Sequence, residues 1–187
     1  MSDALVTAMK QYGVLREGHF LLTSGRHSDK YFEKFRILEH PPVCEQFARA
    51  VAEHFRPAGI TVVCGPTTGG IIIAYEVARQ LGCRSIIAEK AETGRKIGRG
   101  FQVGPHDRVL VVDDVMTTGG SIKETLEALK PLPSKVVGVG VYVDRSSGVD
   151  FGVPCFAAYR QQVQTFEPAQ CPLCKAGVPL EAPGRGK

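Results

Sequence analysis

Two adjacent carboxylates, Asp113 and Asp114, stand between four apolar residues and a turn of hydroxyls and glycines in the stretch VLVVDDVMTTGGS, Val109 to Ser121. The apolar run reads as a buried strand, and Val115 and Met116 carry the chain from the carboxylates into the turn. Thr117, Thr118 and Ser121 offer hydroxyls, while Gly119 and Gly120 tolerate the backbone angles that let successive N–H groups converge on an anion. A helix pattern follows at once, so its N-terminal dipole points at the same anion. Paired carboxylates would repel a bare phosphate, so they ask for sugar hydroxyls to hold or a divalent metal to neutralise. The predicted chemistry is the binding of a phosphorylated sugar.

Such a turn needs a scaffold. Four short β-branched runs, Thr61 to Cys64, Ser85 to Ala88, Val109 to Val112 and Val136 to Val143, begin about 25 residues apart. That spacing is one strand plus a crossover, which predicts parallel strands in an α/β sheet. Between the first two runs an apolar helix is predicted from about Gly70 to Leu81, closed by Gly82. After the third comes a helix over Ser121 to Lys130, with Ile122, Leu126 and Leu129 on one face and Pro131 as its stop. Amphipathic helices are also predicted over Ala4 to Tyr12, through Leu5, Met9 and Tyr12, and over Pro42 to Phe55, through Val43, Phe47, Val51 and Phe55. From Glu89 to Arg108 four glycines and several charges interrupt any apolar period, so a long loop or hairpin is expected; loops of that length are usually functional or disordered. Beyond Val143 the chain looks irregular, ending in the Pro- and Gly-rich VPLEAPGRGK.

The thirteen residues resemble the phosphoribosyl pyrophosphate (PRPP) signature of type I phosphoribosyltransferases, and SGRHSDKY within Gly18 to Tyr31 resembles the N-terminal hood of the orotate phosphoribosyltransferases among them. The resemblance implies a central, mainly parallel sheet flanked by helices, with a small hood and a flexible loop. On that pattern the chain is one domain over residues 1–187, with the hood largely from 13–36, the core from about 41–150 and an irregular tail over 151–187. The implied reaction transfers the phosphoribosyl group from PRPP to orotate. The implied donor site uses Asp113 and Asp114 on the ribose hydroxyls and Val115 through Ser121 around the 5′-phosphate. GPTTGG follows the first core strand and precedes a helix, so Thr67, Thr68, Gly69 and Gly70 can cradle the pyrophosphate.

By the same resemblance the 89–108 loop closes over the site of a neighbouring subunit in a homodimer. Lys90 and Lys96, with Arg95 and Arg99 beside them, are candidates to neutralise the leaving pyrophosphate. Arg145, in VYVDRSSG, corresponds to the arginine that grips orotate, and a guanidinium suits a carboxylate or carbonyl edge. Thr117 corresponds to a loop threonine that also touches the base. Mg²⁺ is the implied cofactor, carried on PRPP and reached by Asp113 and Asp114, through water or directly. The sequence departs from the common family pattern at Thr23 and Gly69, where a lysine is often found, and at Glu89, at the place of a basic loop residue. A purine phosphoribosyltransferase, or a PRPP-sensing regulator on the same fold, are the alternative readings.

A length of 187 residues allows one well-buried domain with short additions. No apolar run approaches the roughly 18 residues of a membrane span, and the start lacks the basic-then-apolar layout of a signal peptide, so a cytoplasmic protein without membrane contact is expected. The net charge of +4 comes from dispersed basic residues, which suits an anionic small molecule at least as well as nucleic acid, and no nucleic-acid partner is expected. No persuasive Ser-His-Asp or Cys-His arrangement is present. Of six cysteines, Cys64 and Cys83 lie in or beside apolar segments and behave as small hydrophobes. Cys171 and Cys174, in CPLC, make half of a four-ligand zinc site, so a metal there needs two more ligands from elsewhere.

Overall fold

In the computed structural model, which describes residues 3–22, 24–160 and 164–183, the chain opens with helix α1 (Asp3–Gln11). Its Leu5 and Met9 are buried, as their helical spacing predicts. Strands β1 (Leu15–Leu21) and β2 (His27–Phe32) form an antiparallel hairpin whose register runs from Leu15 opposite Phe32 to Leu21 opposite His27, with an irregularity between Glu17 and Phe20. A short helix, α2 (Phe35–Glu39), completes this N-terminal segment. Thr23, at the hood position where the family often has lysine, lies outside the described residues.

A larger unit follows. Helix α3 (Pro41–Phe55) leads into β3 (Val62–Pro66), α4 (Gly69–Leu81), β4 (Arg84–Lys90), β5 (Arg95–Ile97), β6 (Arg108–Met116), α5 (Gly120–Leu129), β7 (Lys135–Asp144) and β8 (Cys155–Arg160). These strands make one sheet in the order β5-β4-β3-β6-β7-β8, parallel throughout except for the antiparallel β4–β5 pair. The chain then returns to pair β9 (Thr165–Phe166) with β2, and short helix α6 (Pro172–Lys175) precedes the end of the described chain. By backbone packing, the residues of the α3–β8 segment form one compact unit, and the N-terminal segment forms another with the residues after β8.

The core of the larger unit explains why β6 reads as an uninterrupted apolar run. Val109, Leu110, Val111 and Val112 are all fully buried, because a parallel sheet is covered on both faces. Each contributes about 1.5–3 kcal/mol of burial, enough to hold the strand end rigid. On α3 the predicted stripe is buried, and Phe47 stacks on Tyr142 of β7 with ring centroids 5.1 Å apart. On α5 the inward residues are Ile122 and Leu129, with Leu126 packed against the same cluster. Gly82 caps α4 in the left-handed region, as its position after Leu81 predicts.

One stretch is more ordered than the sequence suggests, and another takes one of the two forms expected of it. The segment after residue 150, expected to be irregular, supplies β8, whose Val139↔Cys155 to Asp144↔Arg160 register extends the parallel sheet, and β9 in the smaller unit. The stretch between Glu89 and Arg108, expected as a long loop or hairpin, begins as a hairpin, with Ala91 N–H donating to the Gly94 carbonyl at 3.1 Å across its turn. Both strands are short and half-exposed, so neither carries an apolar alternation strong enough to read. No helix among the described residues is long and apolar enough to cross a membrane.

Candidate functional site

The sheet order puts β4 on one side of β3 and β6 on the other, so the connections leaving the carboxyl ends of β3 and β6 diverge around one crevice. Open α/β sheets bind ligands at such a switch point. The turn after β6 is the DDVMTTGGS segment, and the turn after β3 is PTTGG.

Asp113 and Asp114 are each 6% exposed, at the end of β6, and local bonds hold both. Asp113 Oδ1 accepts the Asp114 N–H at 2.9 Å and its Oδ2 accepts the Ser121 hydroxyl, which ties the strand end to the first turn of α5. Asp114 Oδ1 accepts the Val115 N–H at 2.6 Å. Gly119 is the N-cap of α5 with φ 73°, and a Cβ there would meet the Phe151 ring at 2.9 Å, so glycine is required on both counts. Thr117 and Thr118 are exposed at the mouth of the turn, and the first N–H groups of α5 lack intrahelical partners by construction. The turn therefore has the geometry of an anion cradle, backed by two ordered carboxylates.

The second turn sits against the first. A Cβ on Gly65 would come within 2.0 Å of the Gly70 carbonyl oxygen, and one on Gly70 would lie 3.4 Å from Asp113 Oδ1. Thr68 is the N-cap of α4, and the Thr67–Thr68 peptide is cis. Thr67 N–H donates to the Ala88 carbonyl at 3.1 Å, and the Arg95 guanidinium donates to Thr67 Oγ1 and to the Ala88 carbonyl, both at 3.1 Å. Arg95 also lies 3.3 Å from Glu124 of α5, and its side chain is only 5% exposed.

That placement separates the loop cations. In the hairpin Glu89 pairs with Lys96 and Lys90 with Arg95, and alternation sends Arg95 and Ile97 to one face and Lys96 to the other. Arg95 is a fixed brace under the Thr67 turn, whereas Lys90 and Lys96 are exposed. Arg99 is engaged by Glu89. Arg145 is exposed at the end of β7, and its backbone N–H donates to the Met116 carbonyl at 2.8 Å, which anchors it beside the phosphate-type turn. Neighbouring Asp144 accepts the Ser146 N–H at 2.8 Å and its hydroxyl at 2.6 Å, turning the chain sharply after Arg145.

Sequence reasoning missed the bracing groups. Nothing in the spacing distinguishes Arg95 from its neighbours; only pairing of β5 to β4 buries it. Asp107 likewise went unmarked, yet it accepts the Gly104 N–H at 2.7 Å, the Arg84 guanidinium at 2.7 Å and the Thr61 hydroxyl at 2.9 Å, fastening the loop before β6 to the start of β3. The Gly104 amide and Arg84 draw its carboxyl down to about 2. Cys64 is an inert core thiol, pushed up to about 12 by burial.

Against known proteins, residues 35–153 match the phosphoribosyl transferase domain model. The orotate phosphoribosyltransferase of Caldanaerobacter subterraneus subsp. tengcongensis is 50% identical over 186 residues, covering 99% of this chain and 98% of its own length. The crystal structure of orotate phosphoribosyltransferase from Aeropyrum pernix superposes with a TM-score of 0.70 at 28% identity, covering 83% of this chain and 93% of that one. Adenine phosphoribosyltransferase from Rhodothermus marinus shares the fold, at TM-score 0.64 and 20% identity over 86% of this chain and 100% of its own.

Proposed function

Because the chain belongs to the phosphoribosyl transferase family, on its orotate-using branch, we propose an assignment of roles in the reaction that it performs. It is a pentosyl-transferring enzyme of pyrimidine biosynthesis: the phosphoribosyl group passes from PRPP to orotate, giving orotidine monophosphate and pyrophosphate. One observation carries the assignment of roles, the approach of the Gly65–Gly70 turn to Asp113. Two anion cradles facing one pair of carboxylates suit a sugar carrying a phosphate at one end and a pyrophosphate at the other.

In this reading Thr117 to Ser121, led by Val115 and Met116, hold the 5′-phosphate through backbone N–H groups and hydroxyls. Asp113 and Asp114 accept hydrogen bonds from the ribose hydroxyls and stand where positive charge grows on the ring as its bond to pyrophosphate breaks. Thr67, Thr68, Gly69 and Gly70 receive the pyrophosphate, with Arg95 holding Thr67 in place. Lys90 and Lys96 meet the charge developing on the leaving group. Arg145 and Thr117 orient orotate so that its N1 faces the anomeric carbon. Two buried carboxylates beside hydroxyls are oxygen ligands that fit Mg²⁺ carried on PRPP; Asp113 and Asp114 would hold it, directly or through water, and it would supply charge neutralisation to the pyrophosphate.

The chain acts as one phosphoribosyltransferase domain with its hood over residues 13–36. It works as a homodimer in which the 89–108 segment reaches the neighbouring site, a reading supported by exposed Ile72 and Tyr75, 46% and 67% accessible and one turn apart on α4. It works in the cytoplasm, in keeping with six cysteines none of which is in a disulfide. The test is orotate depletion with PRPP and Mg²⁺, run beside adenine, hypoxanthine, xanthine and uracil. Turnover of orotate alone is expected; turnover of a purine without orotate overturns the assignment.

A further inference from the structure

The smaller unit gathers four side chains whose chemistry the phosphoribosyl transfer does not use. His19 on β1, His27 on β2, and Cys171 and Cys174 around α6 each direct one ligand atom to a common point, all within 4.8 Å of one another. His19 Nε2 lies 2.9 Å from His27 Nδ1, 3.5 Å from Cys171 Sγ and 3.7 Å from Cys174 Sγ; His27 Nδ1 lies 3.3 Å from Cys174 Sγ. A tetrahedral zinc ion with Zn–N of about 2.0–2.1 Å and Zn–S of about 2.3 Å sets its ligand atoms about 3.3 Å apart for two nitrogens and about 3.6 Å for nitrogen and sulfur. The observed separations fall around those values.

The orientation of His19 supports the same reading. Its Nδ1 lies 2.8 Å from the Val178 carbonyl oxygen, which can only accept, so Nδ1 carries the proton and Nε2 presents a lone pair to the cluster. A ring N–H held by a backbone carbonyl is the usual support for a metal-ligating histidine. The metal-free account of these contacts is a hydrogen-bonded imidazole pair beside two thiols, which are weak donors and weak acceptors. It would place His19, His27 and Cys171, all nearly inaccessible, on contacts worth little.

The chain around the cluster is built to hold it. Lys175 N–H donates to the Cys171 carbonyl and Gly177 N–H to that of Cys174, at 3.2 and 3.1 Å, so the CPLC turn presents both sulfurs together. Beyond it, Glu181 N–H donates to the His19 carbonyl and Leu21 N–H to that of Glu181, each at 2.8 Å, laying the tail along β1. An ion here would tie β1 to residues 152 positions later in the chain. A small unit with a thin core gains most from such a staple.

We infer that His19, His27, Cys171 and Cys174 form a structural Zn²⁺ site, closed by four protein ligands, that fastens the C-terminal turn to the N-terminal hairpin. Two thiolates and two imidazoles in tetrahedral array select zinc over the hard cations that suit the catalytic crevice. The site stands whether or not the roles assigned to the crevice residues hold.

The test is metal analysis of the full chain purified under reducing conditions, then dialysed with Zn²⁺ and desalted. About one tightly held zinc per chain is expected, and Co²⁺ in its place should give the intense visible bands of a tetrahedral thiolate site. Cys174→Ser, at the exposed corner, should lower zinc affinity at least about 100-fold. Chelation of the wild-type protein should speed amide exchange in residues 15–32 and 164–181 while leaving β3, β6 and β7 slow, a readout that needs no variant to fold. Less than about 0.2 zinc per chain after reduction and reconstitution overturns the site, as do a Co²⁺ spectrum without tetrahedral bands, a Cys174→Ser protein that binds as tightly as wild type, or exchange that rises uniformly.

Discussion

The turn after β6 and the histidine–cysteine cluster of the smaller unit are both sets of polar side chains held at low accessibility, but they are assembled in opposite ways. The turn draws its carboxylates, hydroxyls and glycines from the nine consecutive residues Asp113 to Ser121, and its bonds run between neighbours, Asp113 to Asp114 and Ser121, Asp114 to Val115. The cluster draws two ligands from a hairpin near one end of the chain and two from a turn near the other, and no bond within either pair forecasts the other. A contiguous site needs only one strand and one helix to exist, whereas a gathered site exists only when the unit has closed. Loss of the first should cost chemistry, and loss of the second should cost order.

The largest effect should come from Asp114→Asn, which removes charge from the contiguous turn while keeping its shape. Turnover with PRPP and orotate should fall at least about 100-fold, with thermal unfolding within a few degrees of wild type. A comparable loss of stability would show that the carboxylate serves the fold, and would erase the contrast. Next, Gly65→Ala probes the close packing inside the turn after β3, which sets Gly70 against Asp113. A methyl that would sit 2.0 Å from the Gly70 carbonyl must displace one turn, and a stability loss of about 3 kcal/mol by denaturant titration is expected.

Arg95→Met asks whether a gathered group matters to a contiguous turn. With the guanidinium gone from Thr67, KM for PRPP should rise about 10-fold while zinc content and exchange in the smaller unit stay unchanged. An unchanged KM would mean that the turn after β3 holds itself. The smallest effect belongs to Asp107→Asn, at another gathered junction. The carboxyl titrates near 2 in the folded protein, below its unfolded value, so its stabilisation is complete above about pH 4 and is lost as pH falls through about 2. Allowing for solvent screening through the half-exposed Arg84 partner, the variant should be about 1 kcal/mol less stable at neutral pH. That difference should close as the wild type is acidified, and one that persists at pH 2 would assign it to something other than charge.

Much of the larger unit was legible because its signals are local. Runs of Val, Ile and Leu bounded by turn residues announced β3, β4, β6 and β7, and Gly82 and Pro131 announced where α4 and α5 stop. The phosphate-type turn was legible for the same reason. β5 was legible only as the hairpin alternative to a loop, and β8 not at all, because three or six half-exposed residues gain their strand conformation from a neighbour's hydrogen bonds rather than from their own pattern. Arg95 stood in the sequence as one of several loop cations, and pairing alone turned it inward. CPLC stood as half a metal site, and the other half is not legible because neither His19 nor His27 is near it in the chain.

By itself, then, the amino-acid sequence determined the pieces whose causes lie within one strand or one turn: the buried run of β6, the carboxylate pair at its end, and the glycines that shape the anion cradle. The tertiary structure alone decided which distant groups meet. Sheet order set the two cradles side by side at the switch point, the β4–β5 pairing separated a buried brace from exposed lysines, and closure of the smaller unit brought two histidines to two cysteines. The reason is physical. Backbone angles and apolar period are properties of neighbouring residues, while the approach of residues more than a hundred positions apart depends on the closure entropy and packing of the chain between them.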